Sequence, residues 1–340
     1  MSSATALVTG ADGFIGRHVV EALQAHGWLV RAVVRKPPVG PMDFEPIVVR
    51  DIVDRDAIRR GVEGAAAVVH LAGMAHVSDR TSAARQEFER VNVIGVQVVA
   101  EEAVRAGVLR LVGISSIAAV AHASATPLTE NAIPAPRSAY GRSKLAGEAA
   151  LGAATAGTRT AFTVLRPPLV YGPGMRGNPL RLFELVRRGV PLPVGGQTNR
   201  RSVLYVGNLA AAILRVLEHD QAANQIFHVA DDAVVSTAEF ANQVGEALGR
   251  PARLWRLPGP LLRGLGWIGD ATGRVLPELL PISSTQIDGL LESLELDTSR
   301  LRQRCGFVPP FSLRTALQAT AAWFAASRDA AGGGRCLGGI

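Results

Sequence analysis

The chain has 340 residues, 48% hydrophobic and 19% charged, which excludes a disordered protein and is enough for one large or two smaller domains around a substantial core. Its 36 Lys and Arg against 29 Asp and Glu leave a formal charge of +7. The basic residues are scattered and lack interleaved aromatics, so the charge suits an anionic small molecule and not nucleic acid. Two cysteines, Cys305 and Cys336, cannot build a disulfide framework. No Cys/His cluster has metal-ligand spacing, and no stretch approaches the ~18 apolar residues of a membrane span. With a buried strand starting within a few residues of Met1, the expectation is a soluble cytoplasmic protein with no signal peptide and no metal.

Thr5–Thr9 reads as a short apolar strand of the kind buried in a parallel sheet. The turn Gly10-Ala-Asp12-Gly13-Phe14-Ile15-Gly16 follows at once, and apolar residues at helical spacing (Ile15, Val19, Val20, Leu23) run from Phe14 to His26, where Gly27 stops them. Strand, glycine turn and helix together make a dinucleotide site: the backbone comes close to a pyrophosphate, and free N–H groups at the positive helix end face it. Leu29–Val34 and Ile47–Val49 are the next strands, followed by Asp51-Ile52. Ala66–His70 runs into Leu71-Ala72-Gly73, residues 83–107 form a helix, and Leu109–Ile114 is a fifth strand with Ser115-Ser116 at its carboxyl end. A helix over Ala139–Thr155 and a sixth strand over Phe162–Arg166 complete an alternation that predicts a doubly wound parallel sheet with helices on both faces.

After Arg166 the character changes. Pro and Gly accumulate in residues 167–174 and 191–196, which suits a pocket better than an extended sheet. The reading is an α/β Rossmann-type domain over 1–169, with returns near 202–230. A smaller, mainly substrate-binding domain follows over 170–328, and a disordered Gly-rich tail over 329–340.

Tyr140-Gly-Arg-Ser-Lys144 places a phenol and an ammonium one above the other on the 139–155 helix. The ammonium is expected to draw the phenol's pKa down from about 10 towards the range of a general base. An acid at the end of the second strand would bind the ribose 2′-hydroxyl of NAD. Val34 stands there instead, followed by Arg35 and Lys36, which favours NADP over NAD, with Arg35 on the 2′-phosphate.

Taken together, Thr9 to Gly16, Asp51-Ile52, His70-Leu71-Ala72-Gly73, Asn92, Ser115-Ser116, Tyr140-x-x-x-Lys144, Leu165 to Gly174 and Arg201 to Asn208 resemble the extended short-chain dehydrogenases/reductases of the nucleotide-sugar epimerase/dehydratase group. The resemblance covers nearly all of the first 325 residues. It implies that Tyr140 exchanges a proton with a sugar hydroxyl, that Lys144 holds the nicotinamide ribose, and that Ser116 hydrogen-bonds the same sugar oxygen. Ser116 is preferred to Ser115 because it falls four residues before Val120, where relatives carry a tyrosine or asparagine. Gly10, Asp12, Gly13, Phe14, Ile15, Gly16, Asp51 on the adenine, Ile52, Leu71, Ala72, Gly73, Asn92 and Pro167 would complete the cofactor site. Asn92 would also satisfy buried backbone groups. His70 and His76 are expected to pack or hydrogen-bond locally.

On the substrate side the resemblance implies Arg201 on a pyrophosphate. Asn178 either caps the helix it opens or contacts phosphate, and Arg200 is either a second phosphate contact or a surface charge. Ile117-Ala118 stand where dehydratases of the group carry Asp-Glu, so elimination of water lacks its acid and base. Reversible hydride transfer at C4 of a UDP-linked hexose or N-acetylhexosamine is what the resemblance implies, as a 4-epimerase or a 4-ketoreductase, in a homodimer. It is similar to bacterial enzymes that make sugars for surface polysaccharides. The alternatives are a non-catalytic NADP sensor and an enzyme of a lipid-linked sugar. For the latter, residues 261–280 with Trp267, Ile268, Arg263 and Arg274 would lie at a membrane surface or pack over the substrate pocket.

Overall fold

The computed structural model describes residues 4–37, 43–75, 81–272 and 284–332. Cys336, His76, Arg274 and the rest of 273–280 lie outside the described residues, as do 333–340 of the expected tail. In chain order the first half contains β1 (Thr5–Thr9), α1 (Phe14–Ala25), β2 (Leu29–Val34), β3 (Glu45–Val48), α2 (Arg55–Val62), β4 (Ala67–His70), α3 (Ser82–Glu89), α4 (Gly95–Arg105), β5 (Arg110–Ile114), α5 (Ala139–Thr155) and β6 (Ala161–Arg166). The second half adds β7 (Leu169–Tyr171), α6 (Asn178–Arg188), β8 (Arg201–Tyr205), α7 (Val206–Glu218), β9 (Gln225–His228), β10 (Val234–Val235), α8 (Thr237–Ala247), α9 (Gly259–Thr272), α10 (Ser284–Leu291), α11 (Ser299–Cys305) and α12 (Leu313–Gly332). α12 thus continues past residue 329, where a disordered tail was expected to begin.

Seven strands form one sheet in the order β3-β2-β1-β4-β5-β6-β9, every pair parallel. Alternation along each strand assigns its two faces. Ala6, Val8, Val30, Ala32, Ala67, Val69 and Leu165 pack with α1, α7 and α11, whereas Leu7, Val33, Val68, Leu111 and Val164 pack with α2, α4 and α5. This is the doubly wound sheet expected from the sequence. Its topological switch lies between β1 and β4, beyond whose carboxyl ends such sheets bind ligands. The later return to this sheet is β9 on its edge and α7 on its face. β7, β8 and β10 form a separate three-stranded sheet over an apolar cluster that includes Tyr171, Phe183, Val203, Phe240 and Phe324. Buried Asp231 joins the two parts: it accepts from the Tyr171 hydroxyl (3.1 Å), the Tyr205 amide and the Asn208 side chain (2.7 Å).

Between α3 and α4 the expected single helix carries a π-turn at Arg90–Ile94. A π-turn inserts one extra residue and re-aims side chains within a continuous helical rod. Here it contains buried Asn92.

α5 is fastened to β6 by a buried ion pair. Glu148 accepts from Arg166 Nε at 2.9 Å and Nη2 at 2.5 Å, with side chains only 6% and 5% exposed. Breaking such a pair from one side leaves an uncompensated buried charge and costs about 3–5 kcal/mol. Arg166→Leu and Glu148→Leu should each lose about that much in urea unfolding, and the double variant should recover most of it. Additive losses in the double variant would contradict the coupling.

Candidate active site

The glycine turn is built by steric need. A Cβ on Gly16 would stand 2.1 Å from the Gly10 carbonyl oxygen, and Gly10, at φ +68°, passes so close to β4 that a Cβ there would lie 2.8 Å from the Ala72 amide nitrogen. The turn therefore packs directly on Leu71-Ala72. Thr9 Oγ1 reinforces that contact by accepting from the Leu71 and Ala72 amides, each at 3.2 Å. α1 begins at Gly13 with no side-chain cap and no acidic residue in its first turn. Its free N–H groups and positive end thus suit an anion, and the glycine cradle fits the pyrophosphate of a dinucleotide.

The other candidate cofactor residues surround this cradle at the carboxyl ends of the strands. Arg35 is exposed just beyond β2. Asp51 pairs with Arg90 and accepts from the Val53 amide, while Ile52 is buried beneath the start of α4. Asn92 accepts from the Met74 amide (2.8 Å) and donates to the Met74 carbonyl and to Ser143 Oγ (both 3.0 Å), and Ser143 donates to the Tyr140 carbonyl (2.8 Å). Buried Pro167 accepts from the Ile117 amide at 3.0 Å.

Ser116 and Ser115 alternate in direction at the end of β5. Ser116 hydrogen-bonds Tyr140 and also accepts from the Ala118 amide at 3.2 Å, capping a 3₁₀ turn over Ile117–Ala119. Ser115 points inward and is 6% exposed. The expectation for the phenol needs correction. Burial raises the pKa of Tyr140, offset in part by the Ser116 hydrogen bond, because the Lys144 ammonium is turned to the Ile114 carbonyl at 3.0 Å. Burial also brings Lys144 down to about 8, with Glu148 opposing. Lys144 Nζ lies 3.0 Å from where a Cβ on Gly73 would stand. A phenol bonded to a serine hydroxyl beside a buried cation can pass a proton to an alcohol or carbonyl oxygen laid against both.

The candidate substrate residues stand apart from this cluster. Asn178 does not cap α6. The chain enters that helix through Gly177 at φ 69°, with no side-chain cap, and the Asn178 side chain is exposed. Arg201, at the start of β8, donates to the Glu292 carbonyl at 2.8 Å, and exposed Arg200 forms a bidentate pair with Glu295 (2.6 and 3.0 Å), which is the surface-charge alternative. The segment around Glu292 also pairs with residues after the 3₁₀ turn, through Ser124 to Ser293 and Leu128 to Glu295. That wall links Arg201 to the Ser116 side. Glu148, Arg166 and Ser143 were not singled out from the sequence, although Tyr140, Lys144 and Glu148 form an i, i+4, i+8 stripe that would have found the first.

A parallel sheet with a glycine cradle at its switch point, and a serine, tyrosine and lysine beside it, defines a nicotinamide-dinucleotide-dependent enzyme of the Rossmann type. Residues 6–230 match the NAD dependent epimerase/dehydratase family, and the chain belongs to it. It is 33% identical over 323 residues, 94% of each chain, to a UDP-glucose 4-epimerase of Vibrio cholerae. It is 35% identical over 268 residues, 78% of this chain and 77% of the other, to a ceramide reductase of Caulobacter vibrioides. The solved structure of MoeE5 in complex with UDP-glucose and NAD superposes with a TM-score of 0.76 at 26% identity, covering 96% of this chain and 100% of that one. Among the described residues no helix is long and apolar enough to cross a membrane.

Two buried histidines give the fold a pH dependence. Burial, with Lys144 adding to it, lowers His70 from 6.5 to about 3, and burial lowers His228 to about 4. Unfolded histidines take up protons near 6.5, so below that pH the unfolded state binds more protons and is favoured. The stability these neutral histidines confer is complete above about 6.5 and is lost as pH falls through about 4 and then 3. Each should contribute a slope of up to about 1.4 kcal/mol per pH unit in that window. Urea midpoints across it should fall, and less steeply in His70→Gln. A wild-type midpoint independent of pH would contradict this.

Proposed function

We propose that the protein is an NAD(P)-dependent 4-epimerase of a UDP-linked hexose or N-acetylhexosamine, with Tyr140 as acid and base. The observation that carries this reading is the Ser116–Tyr140 hydroxyl pair, set between the glycine cradle and the wall that holds Arg201. Similarity along nearly the whole chain to a UDP-glucose 4-epimerase supports it. Gly10 to Gly16 would hold the pyrophosphate of the dinucleotide, Asp51 and Ile52 the adenine side, and Lys144, Gly73 and Asn92 the nicotinamide ribose. The nicotinamide, when bound, supplies acceptance and return of a hydride.

Tyr140 takes the proton of the sugar 4-hydroxyl through its phenolic oxygen and gives it back to the carbonyl oxygen after the sugar has turned its other face. Ser116 donates to that oxygen and holds it against Tyr140. Lys144 would lower the cost of the phenolate with its ammonium turned from Ile114 towards the cleft. Ile117-Ala118 offer no acid or base, so the 4-keto sugar is not carried on to loss of water. Arg201 keeps donors beyond the one given to Glu292, and a guanidinium matches the geometry of the UDP pyrophosphate.

A second reading, one-way ketone reduction, is favoured by similarity to a ceramide reductase and by Arg35 at the end of β2. Product analysis after incubation with UDP-glucose, UDP-N-acetylglucosamine and a UDP-4-keto-6-deoxyhexosamine, with and without NADPH, separates the two. An epimerase gives the 4-epimer of one of the first two sugars with no net cofactor change, whereas a ketoreductase consumes one NADPH per keto sugar. Tyr140→Phe should lower turnover by ~10²-fold or more with cofactor affinity retained. Near-normal turnover would remove Tyr140 from the role.

Arg35 would pair with a 2′-phosphate, so wild-type protein should bind NADP more tightly than NAD. Arg35→Ala should lose about 1.5–3 kcal/mol for NADP alone. Fluorescence titration with both reduced cofactors reads this directly, and a wild-type preference for NADH would refute it.

A further inference from the structure

Beneath Lys144, between β4, β5, the π-turn and α5, lies a small cavity of about 20 Å³. Its polar wall consists of His70, Asn92, Ser115, Lys144 and Glu148, and the remainder is apolar. One water needs roughly 10–15 Å³ of such space and two to four polar partners. Two side-chain atoms of the wall, Ser115 Oγ and His70 Nε2, are buried and have no hydrogen-bond partner among the described residues, on side chains 6% and 4% exposed. Buried polar groups are rarely left so.

The hydrogen on His70 can be placed. Thr9 Oγ1 accepts from the Leu71 and Ala72 amides, so its own hydrogen goes to His70 Nδ1 at 2.9 Å. Neutral His70 then carries its proton on Nε2, as a donor with no acceptor among the described residues. Both Glu148 oxygens are bound by Arg166 but keep lone pairs, and the Lys144 ammonium has two donors beyond the one given to Ile114.

We propose that Ser115 and His70 are positioning residues for Lys144, acting through one water molecule held between them and the Glu148–Arg166 pair. The water accepts from His70 Nε2 and from Lys144, and donates to Glu148 and to Ser115 Oγ, which completes its four bonds. It links the buried carboxylate to the ammonium and opposes the burial that lowers Lys144. Among the described residues, the charged and titratable groups that line the cavity with Lys144 are Glu148 from α5 and His70 from β4, Tyr140 lies one turn away on α5, and Arg166 from β6 binds Glu148. With His70 neutral, Glu148 is the negative charge that opposes burial at Lys144, and the bridge through water adds a hydrogen-bonded link to it. The inference rests on the placing of Lys144 at the cofactor ribose only for its effect on binding.

A high-resolution crystal structure of the full chain with bound dinucleotide should show an ordered water within hydrogen-bond distance of both Ser115 Oγ and His70 Nε2. A dry cavity overturns the proposal. Fluorescence titration with NADH across pH adds a functional readout that a packing role would not move. In Ser115→Ala, the pH above which affinity falls should drop by about one unit, towards the value of about 8 that burial sets without the bridge, a roughly tenfold loss at alkaline pH with little change at neutral pH. An unmoved limit overturns the positioning role. Lys144→Met separates the two readings: unchanged NADH affinity there refutes the ribose assignment, while the crystallographic water still decides this one.

Discussion

The buried pair between Glu148 and Arg166 is the contact on which the site depends. A carboxylate and a guanidinium almost sealed from water hold each other only in good geometry, and the two nitrogen–oxygen contacts of 2.9 and 2.5 Å meet that demand. Arg166 is the last residue of β6 and Glu148 lies in the middle of α5, so the pair fixes how far α5 slides along the sheet. Lys144 and Tyr140 lie one and two turns up the same face. Their height over the carboxyl ends of β4 and β5 is therefore set by an interaction that touches neither of them directly.

The cofactor side is governed by close backbone approach. The Gly10 turn rests against Ala72, Thr9 binds the amides of the β4 exit, and Asn92 ties Met74 to α5 through Ser143. These links form one chain of contacts from the glycine cradle to Tyr140. A shift of any element would be felt at the phenol. The cost of such a site is visible in its electrostatics, since burial raises Tyr140 and lowers Lys144 and His70 together. Neutral histidine beside cationic lysine is the arrangement that avoids two buried like charges.

The substrate side is built differently. Arg201, Ser202 and Leu294 are laced to one another and to the segment after Ser116 by backbone bonds contributed from three distant parts of the chain. Under the proposed function, the hydroxyl pair and the missing acid at Ile117-Ala118 would confine the chemistry to hydride transfer at a single carbinol carbon. Similar chains include a sugar epimerase and a ceramide reductase, so the family spans substrates of different chemistry.

Local residue order was sufficient for the alternating strands and helices of the first half other than α2, which was not read from the sequence, because apolar periodicity and the Gly10 to Gly16 turn act within a few residues. It was also sufficient for α5, whose spacing puts Tyr140 and Lys144 on one face. It misjudged effects that depend on contacts distant in sequence. The π-turn at Asn92 interrupts an otherwise regular helical pattern, because Asn92 bonds to Met74 and Ser143, 18 and 51 residues away. Asn178 looks like a cap until Gly177 is seen to make the turn. The direction of the Tyr140 pKa was inverted because spacing shows that a lysine is near but not that its ammonium faces Ile114, nor how deeply the phenol is buried. Partnerships such as Glu148 with Arg166, and cavities such as the one beneath Lys144, exist only once the chain has folded, since each is closed by residues from several separate elements.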